Sequence, residues 1–136
     1  MAWVKISGIY NAFFGFLHLW FLYSWRHSAG GEQGWARLPA GVANLLDIFN
    51  IQIAILFLIV GGLYLLYSGA IVTTPFGLAL TVGMLVFWIA RTLEEIAATT
   101  PEYSYLAVFT AGVVVHGMVL RQTHSVRREK GVQNVA

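Results

Sequence analysis

The chain has 136 residues, 58% of them hydrophobic and 10% charged, with a formal net charge of +2 and a mean hydropathy of +0.71. Soluble domains carry about a quarter charged residues, so an ordinary soluble protein is excluded, and without a broad basic surface so is a nucleic-acid partner. The absence of cysteine rules out disulfides, thiolate zinc sites, iron–sulfur clusters and thiol nucleophiles.

The first apolar run, Ile6 to Trp25, covers about 30 Å as a helix, the thickness of a hydrocarbon core. A signal peptide is the competing reading, with Lys5 as its basic region and Ser28-Ala29 as a weak cleavage site. Signal cores, however, are short, about 7–15 apolar residues, and carry no polar seam. Here Gly8, Asn11, Gly15 and His18 recur at heptad spacing. The pattern predicts an uncleaved membrane helix over about residues 4–25.

A Gly-rich polar loop follows, Arg26 to Leu38, with Trp35 placed to rest at the membrane interface. Pro39 suits a first helical turn, and a second helix is expected over about 39–67. On it Asp47, Asn50, Ala54, Phe57, Gly61, Tyr64 and Ser68 share one heptad face. Ser68 to Thr74 reads as a tight connection containing Gly69, and a third helix as about 75–97. Its face carries Gly77, Thr81, Met84, Trp88, Arg91 and Glu95. Thr99-Thr100-Pro101-Glu102 reads as stop and restart, with Thr100 as N-cap and Pro101 at the first helical position. The fourth helix, about 102–122, has the seam Glu102, Tyr105, Phe109, Gly112 and His116. Residues 123–136 form a basic tail, expected to be mobile and to meet anionic headgroups.

Leu against Leu gains little in lipid, so membrane helices associate through small residues and polar contacts. Four small or polar seams on apolar helices predict an all-α polytopic membrane protein, an antiparallel four-helix transmembrane bundle over residues 1–122. Lys5, Arg121, Arg127, Arg128 and Lys130 on one side outnumber Arg26, Arg37 and Arg91 on the other. The bias places both termini in the cytoplasm of a cell-membrane protein.

Depth sorts the polar residues into layers. His18, Asp47, Asn50, Trp88, Arg91, Glu94, Glu95, Glu102 and Tyr105 fall in the outer half, whereas Asn11, Tyr64 and His116 form an inner layer. Ionisable groups in spans tend to mark sites, and the outer layer is the candidate pocket. Its proposed roles are His18 as acid/base, Asp47 as its partner and Arg91 as an electrostatic clamp, with Asn50, Trp88, Glu95 and Tyr105 binding. Each has a plainer reading. Asp47 could anchor the helix in the headgroup layer, His18 could simply bond Asn50 or Asp47, and Arg91 could pair with Glu95 one turn on. His116 is expected to bond Asn11 or Tyr64. A haem held by His18 and His116 is disfavoured, because their depths differ by roughly 12 Å.

No nucleotide loop, HExxH or nucleophile elbow is present. No metal or cofactor is expected, and the sequence does not decide whether the protein is an enzyme. Two functions follow. In the first, the outer pocket binds a small lipophilic molecule and supports isomerisation, hydration or hydrolysis. In the second, the protein is a non-catalytic accessory subunit whose seam only fixes helix packing. Membrane lipids are expected partners, and a homo-oligomer or larger membrane complex is compatible with either.

Overall fold

The computed structural model describes residues 1–27 and 37–133. Trp35 and most of the first loop lie outside them, as do the side chains of Trp25, Arg26 and Lys130. The regular structure described is helical: α1 (Ala2–His27), α2 (Ala40–Leu66), α3 (Ser68–Thr73), α4 (Pro75–Ala97) and α5 (Tyr103–Gln133). Among the described residues, four helices are long and apolar enough to cross a membrane: α1, α2, α4 and α5. The fold is therefore all-α and multi-pass, consistent with a four-helix transmembrane bundle.

Burial follows the predicted seams. Asn11 and Gly15 on α1, Asp47, Ala54, Phe57 and Tyr64 on α2, Thr81 and Trp88 on α4, and Gly112 and His116 on α5 are all buried. The opposite faces are apolar and open, as with Ile9, Phe13, Phe16 and Trp20 on α1. Water would penalise such stripes; lipid tails do not.

The chain divides into two compact units. In the unit spanning Ile9–Gly62, α1 and α2 form an antiparallel pair. Phe14 meets Phe57, Gly15 meets Ala54, and His18 meets Asn50, so α2 runs backwards as α1 advances. A Cβ added at Gly15 would stand 3.0 Å from the Ala54 carbonyl oxygen and 2.7 Å from Leu58 Cγ. Glycine there lets the backbones approach, as lipid-embedded helices require.

The other unit joins Met1–Gly8 to the chain from Leu63 onward. Here α4 and α5 are antiparallel, with Trp88 against Gly112 and Glu95 against Glu102, and α3 packs on both. The expected tight turn at Ser68–Thr74 is itself helical, and Gly77 lies hard against its backbone. Thr74 caps α4 by accepting from Gly77 N at 3.1 Å, with Pro75 next in line.

The restart before α5 differs from expectation. The helix begins at Tyr103, and Glu102, not Thr100, precedes it, its carbonyl accepting from Leu106 N at 3.0 Å. Glu95 reaches over from α4 to accept the Glu102 N–H at 2.6 Å, so a side chain from the previous helix fixes the entry. At its other end α5 runs to Gln133, past Gln122, where the apolar composition ends. Arginines end a span but not a helix, because water tolerates either conformation.

Candidate functional site

The candidate residues fall into two groups, one in each unit. In the Ile9–Gly62 unit, α1 presents His18 and α2 presents Asn50 one turn after Asp47. His18 Nδ1 and Asn50 Oδ1 lie 3.1 Å apart. An amide oxygen only accepts, so Nδ1 is the donor, and in the neutral ring Nε2 is then the acceptor. The ring stacks on Phe57, with centroids 6.0 Å apart and planes 18° from parallel. Phe57 in turn contacts Phe14 at 6.0 Å. A hydrogen bond and an aromatic floor thus fix the imidazole, which remains partly accessible. Asp47 is 8% exposed, packed against the protein one turn before Asn50.

In the other unit, the opposing faces of α4 and α5 stack Trp88, Phe109 and Tyr105. Trp88 lies 6.1 Å from Phe109, and Phe109 lies 6.2 Å from Tyr105 with planes 22° apart. The Arg91 guanidinium caps this ladder, 5.1 Å from the Phe109 centroid. Its ionic partner is Glu94, not the expected Glu95. The i,i+3 and i,i+4 positions are both within reach of an arginine, and Glu95 is already committed to the Glu102 N–H. Glu95 is therefore a helix-entry residue here, and Arg91 is a half-exposed, paired cation.

The polar core of this unit contains a contact that heptad counting passed over. Ser7, in the second turn of α1, lies 2.8 Å from His116 Nε2, and His116 Nδ1 lies 2.8 Å from the Gly112 carbonyl. The carbonyl only accepts, so Nδ1 donates to it and Ser7 Oγ–H donates to Nε2. Around the imidazole stand Tyr64, edge-on at 6.0 Å, and Trp88, 6.3 Å away. Tyr64 donates to Thr81 Oγ1 at 3.0 Å, and Thr81 donates to the Gly77 carbonyl at 2.9 Å. Ser7, Tyr64, Thr81 and His116 are all 0% exposed. Each hydroxyl has both a donor role and a place in the chain of bonds, which is how a buried polar network becomes stabilising. Val4, Ser7, Asn11 and Phe14 are buried along one face of α1, with His18 partly buried, and no sequence signal singled out Ser7 among them.

No protein-family model, curated protein or solved structure matches the chain. Function therefore has to be argued from these two polar groups alone.

Proposed function

We propose that the His18–Asn50 pair receives the polar head of a small lipophilic molecule. The observation that supports this is the 3.1 Å contact of His18 Nδ1 with Asn50 Oδ1, which in the neutral ring leaves Nε2 as an acceptor on a partly accessible imidazole. The complementary ligand carries an O–H or N–H donor on an apolar body. An acceptor nitrogen oriented in this way is also a general base. Proton abstraction for isomerisation, or activation of water for hydration or hydrolysis, is the chemistry within its reach. In this reading Asp47 tunes the site from one turn away and Asn50 positions the ring, whereas Arg91, Trp88, Glu95 and Tyr105 belong to the other unit and take no part in it. The protein resides in the cell membrane with cytoplasmic termini, so the site opens toward the outer leaflet.

The test is native mass spectrometry of the purified full-length protein, with extraction of bound lipid. The wild type should carry one defined donor-bearing lipophile. His18→Ala should lose it about tenfold or more, the value of one hydrogen bond to a desolvated group, while leaving the bundle folded. Asp47→Asn, which keeps shape but removes charge, should weaken retention less. Equal retention in wild type and His18→Ala would sink the proposal.

A second reading is favoured by the fully bonded Ser7–His116 and Tyr64–Thr81 contacts: the protein is an accessory subunit whose polar groups serve packing alone. Under it, His18→Ala lowers stability, no small molecule is extracted, and a protein partner co-purifies.

A further inference from the structure

The open side of α2 carries a polar residue that belongs to neither polar group. Gln52 is exposed, and its side chain makes no hydrogen bond to any described residue. Its depth makes this costly. Gly15, at the middle of the apolar run Ile6 to Trp25, lies against Ala54, so Ala54 marks the midplane of the span. Gln52 is two residues away, about 3 Å along the helix, and α2 itself, Ala40–Leu66, is centred one residue from it.

A carboxamide brings two N–H donors and a carbonyl acceptor into hydrocarbon, where an unpaired polar group is penalised. A threonine hydroxyl can turn to a carbonyl of its own helix, as Thr81 and Thr92 do. The Gln52 side-chain oxygen has no such remedy, because N–H groups in mid-helix are already engaged by the helix itself. Lipid offers only hydrocarbon at this depth. The missing partner is therefore protein, and a carboxamide is its own complement: two of them exchange N–H···O bonds in both directions. The surrounding residues supply the rest of an interface. Leu45, Ile48, Gln52, Ile55 and Ile59 recur in alternating steps of three and four, and the four apolar ones are each 50% exposed or more. Gly62 continues the same steps, and a Cβ there would meet nothing within 4 Å. This is the heptad pattern of paired helices with a single polar core position, the kind that fixes register and chain number. Asn50 lies on the opposite side of α2, toward His18.

We propose that α2 pairs with α2 of a second copy of this chain, the two Gln52 carboxamides hydrogen-bonded to each other across a twofold axis along the membrane normal. Copies inserted with the same topology present α2 in parallel, so like residues meet at like depth. The pairing does not depend on whether His18 binds a ligand.

The test uses the full-length protein in phosphatidylcholine vesicles. Copies labelled at the C-terminus with donor or acceptor fluorophores are mixed, and energy transfer is followed as the protein-to-lipid ratio is lowered. The wild type should dimerise. Gln52→Leu should weaken the dimer about tenfold, within the range of hydrogen bonds between membrane helices. Gln52→Asn, which keeps the amide, should recover most of that loss. Leucine is favoured against lipid, so the fold of the Gln52→Leu variant is not at risk. The chain has no cysteine, so single introduced ones report proximity without background. Under oxidation, Ile48→Cys and Ile55→Cys should crosslink between copies. Phe16→Cys, exposed at a similar depth on α1, should not. The proposal is overturned by equal association of Gln52→Leu and wild type, by equal loss in Gln52→Asn and Gln52→Leu, or by crosslinking of Phe16→Cys as efficient as that of Ile55→Cys. A wild type that stays monomeric at the highest protein-to-lipid ratio also overturns it, and leaves the Gln52 face to a different membrane protein.

Discussion

Replacing Gly77 with alanine should destabilise the protein by about 3 kcal/mol, the upper end of what overpacking costs. The added methyl would stand 2.2 Å from the Ile71 carbonyl oxygen and 2.4 Å from its Cα. Both are backbone atoms of α3, so no side-chain rotation relieves the clash. The short helix would have to move, disturbing buried Ile71 and Val72 together with the Thr74 cap that α4 depends on. Gly83 is the control. It lies on the same helix, and a methyl there meets nothing within 4 Å. Gly83→Ala should stay within about 0.5 kcal/mol of wild type. Unfolding in mixed detergent, followed by tryptophan fluorescence, separates the two variants. Equal curves would mean that α3 and α4 do not approach as closely as these distances require.

The second large effect belongs to His116. Truncation to alanine empties the space beside Trp88 and Tyr64 and takes away the acceptor of the Ser7 hydroxyl. A cavity and a deprived buried hydroxyl together should cost about 3 kcal/mol. Ser7→Ala removes one hydrogen bond from a buried imidazole, which should cost about 1–2 kcal/mol. The two losses should not add. Once either partner has gone, removing the other should cost about 1 kcal/mol less, and a double-mutant cycle reads that difference directly. Strict additivity would mean that the pair contributes no coupling.

The spans were legible because a bilayer imposes length and polarity rules that composition reveals directly, and the seams because close packing in lipid selects small residues at heptad intervals. Gly15, Ala54, Gly77 and Gly112 are visible as small residues before any partner is known. What each one meets is not visible. Gly112 faces the Trp88 ring, with Cδ2 2.5 Å from a built Cβ, whereas Gly77 faces backbone, and only the fold distinguishes these. The joining of His18 to Asn50 was within reach of depth counting, since both lie at matching heights on neighbouring spans. Ser7 was not, because serine is unremarkable on a membrane helix until a histidine 109 residues later is placed beside it. The choice of Glu94 over Glu95 by Arg91 likewise depends on a backbone N–H in the next helix, information that local spacing does not carry.

The threonine hydroxyls also bear on biogenesis. Thr81, Thr92 and Thr123 each donate to the carbonyl four residues back, as do Thr73 at the end of the short helix α3 and Thr74 just after it. These bonds are complete inside a single helix. A newly made segment can therefore enter the bilayer with its hydroxyls already satisfied, before any other segment is available to it. The Ser7–His116 bond has the opposite timing, because its two halves are separated by 109 residues of synthesis. A contact within α1 is thus completed only by the later α5, and a ribosome stalled before His116 would leave Ser7 without that acceptor.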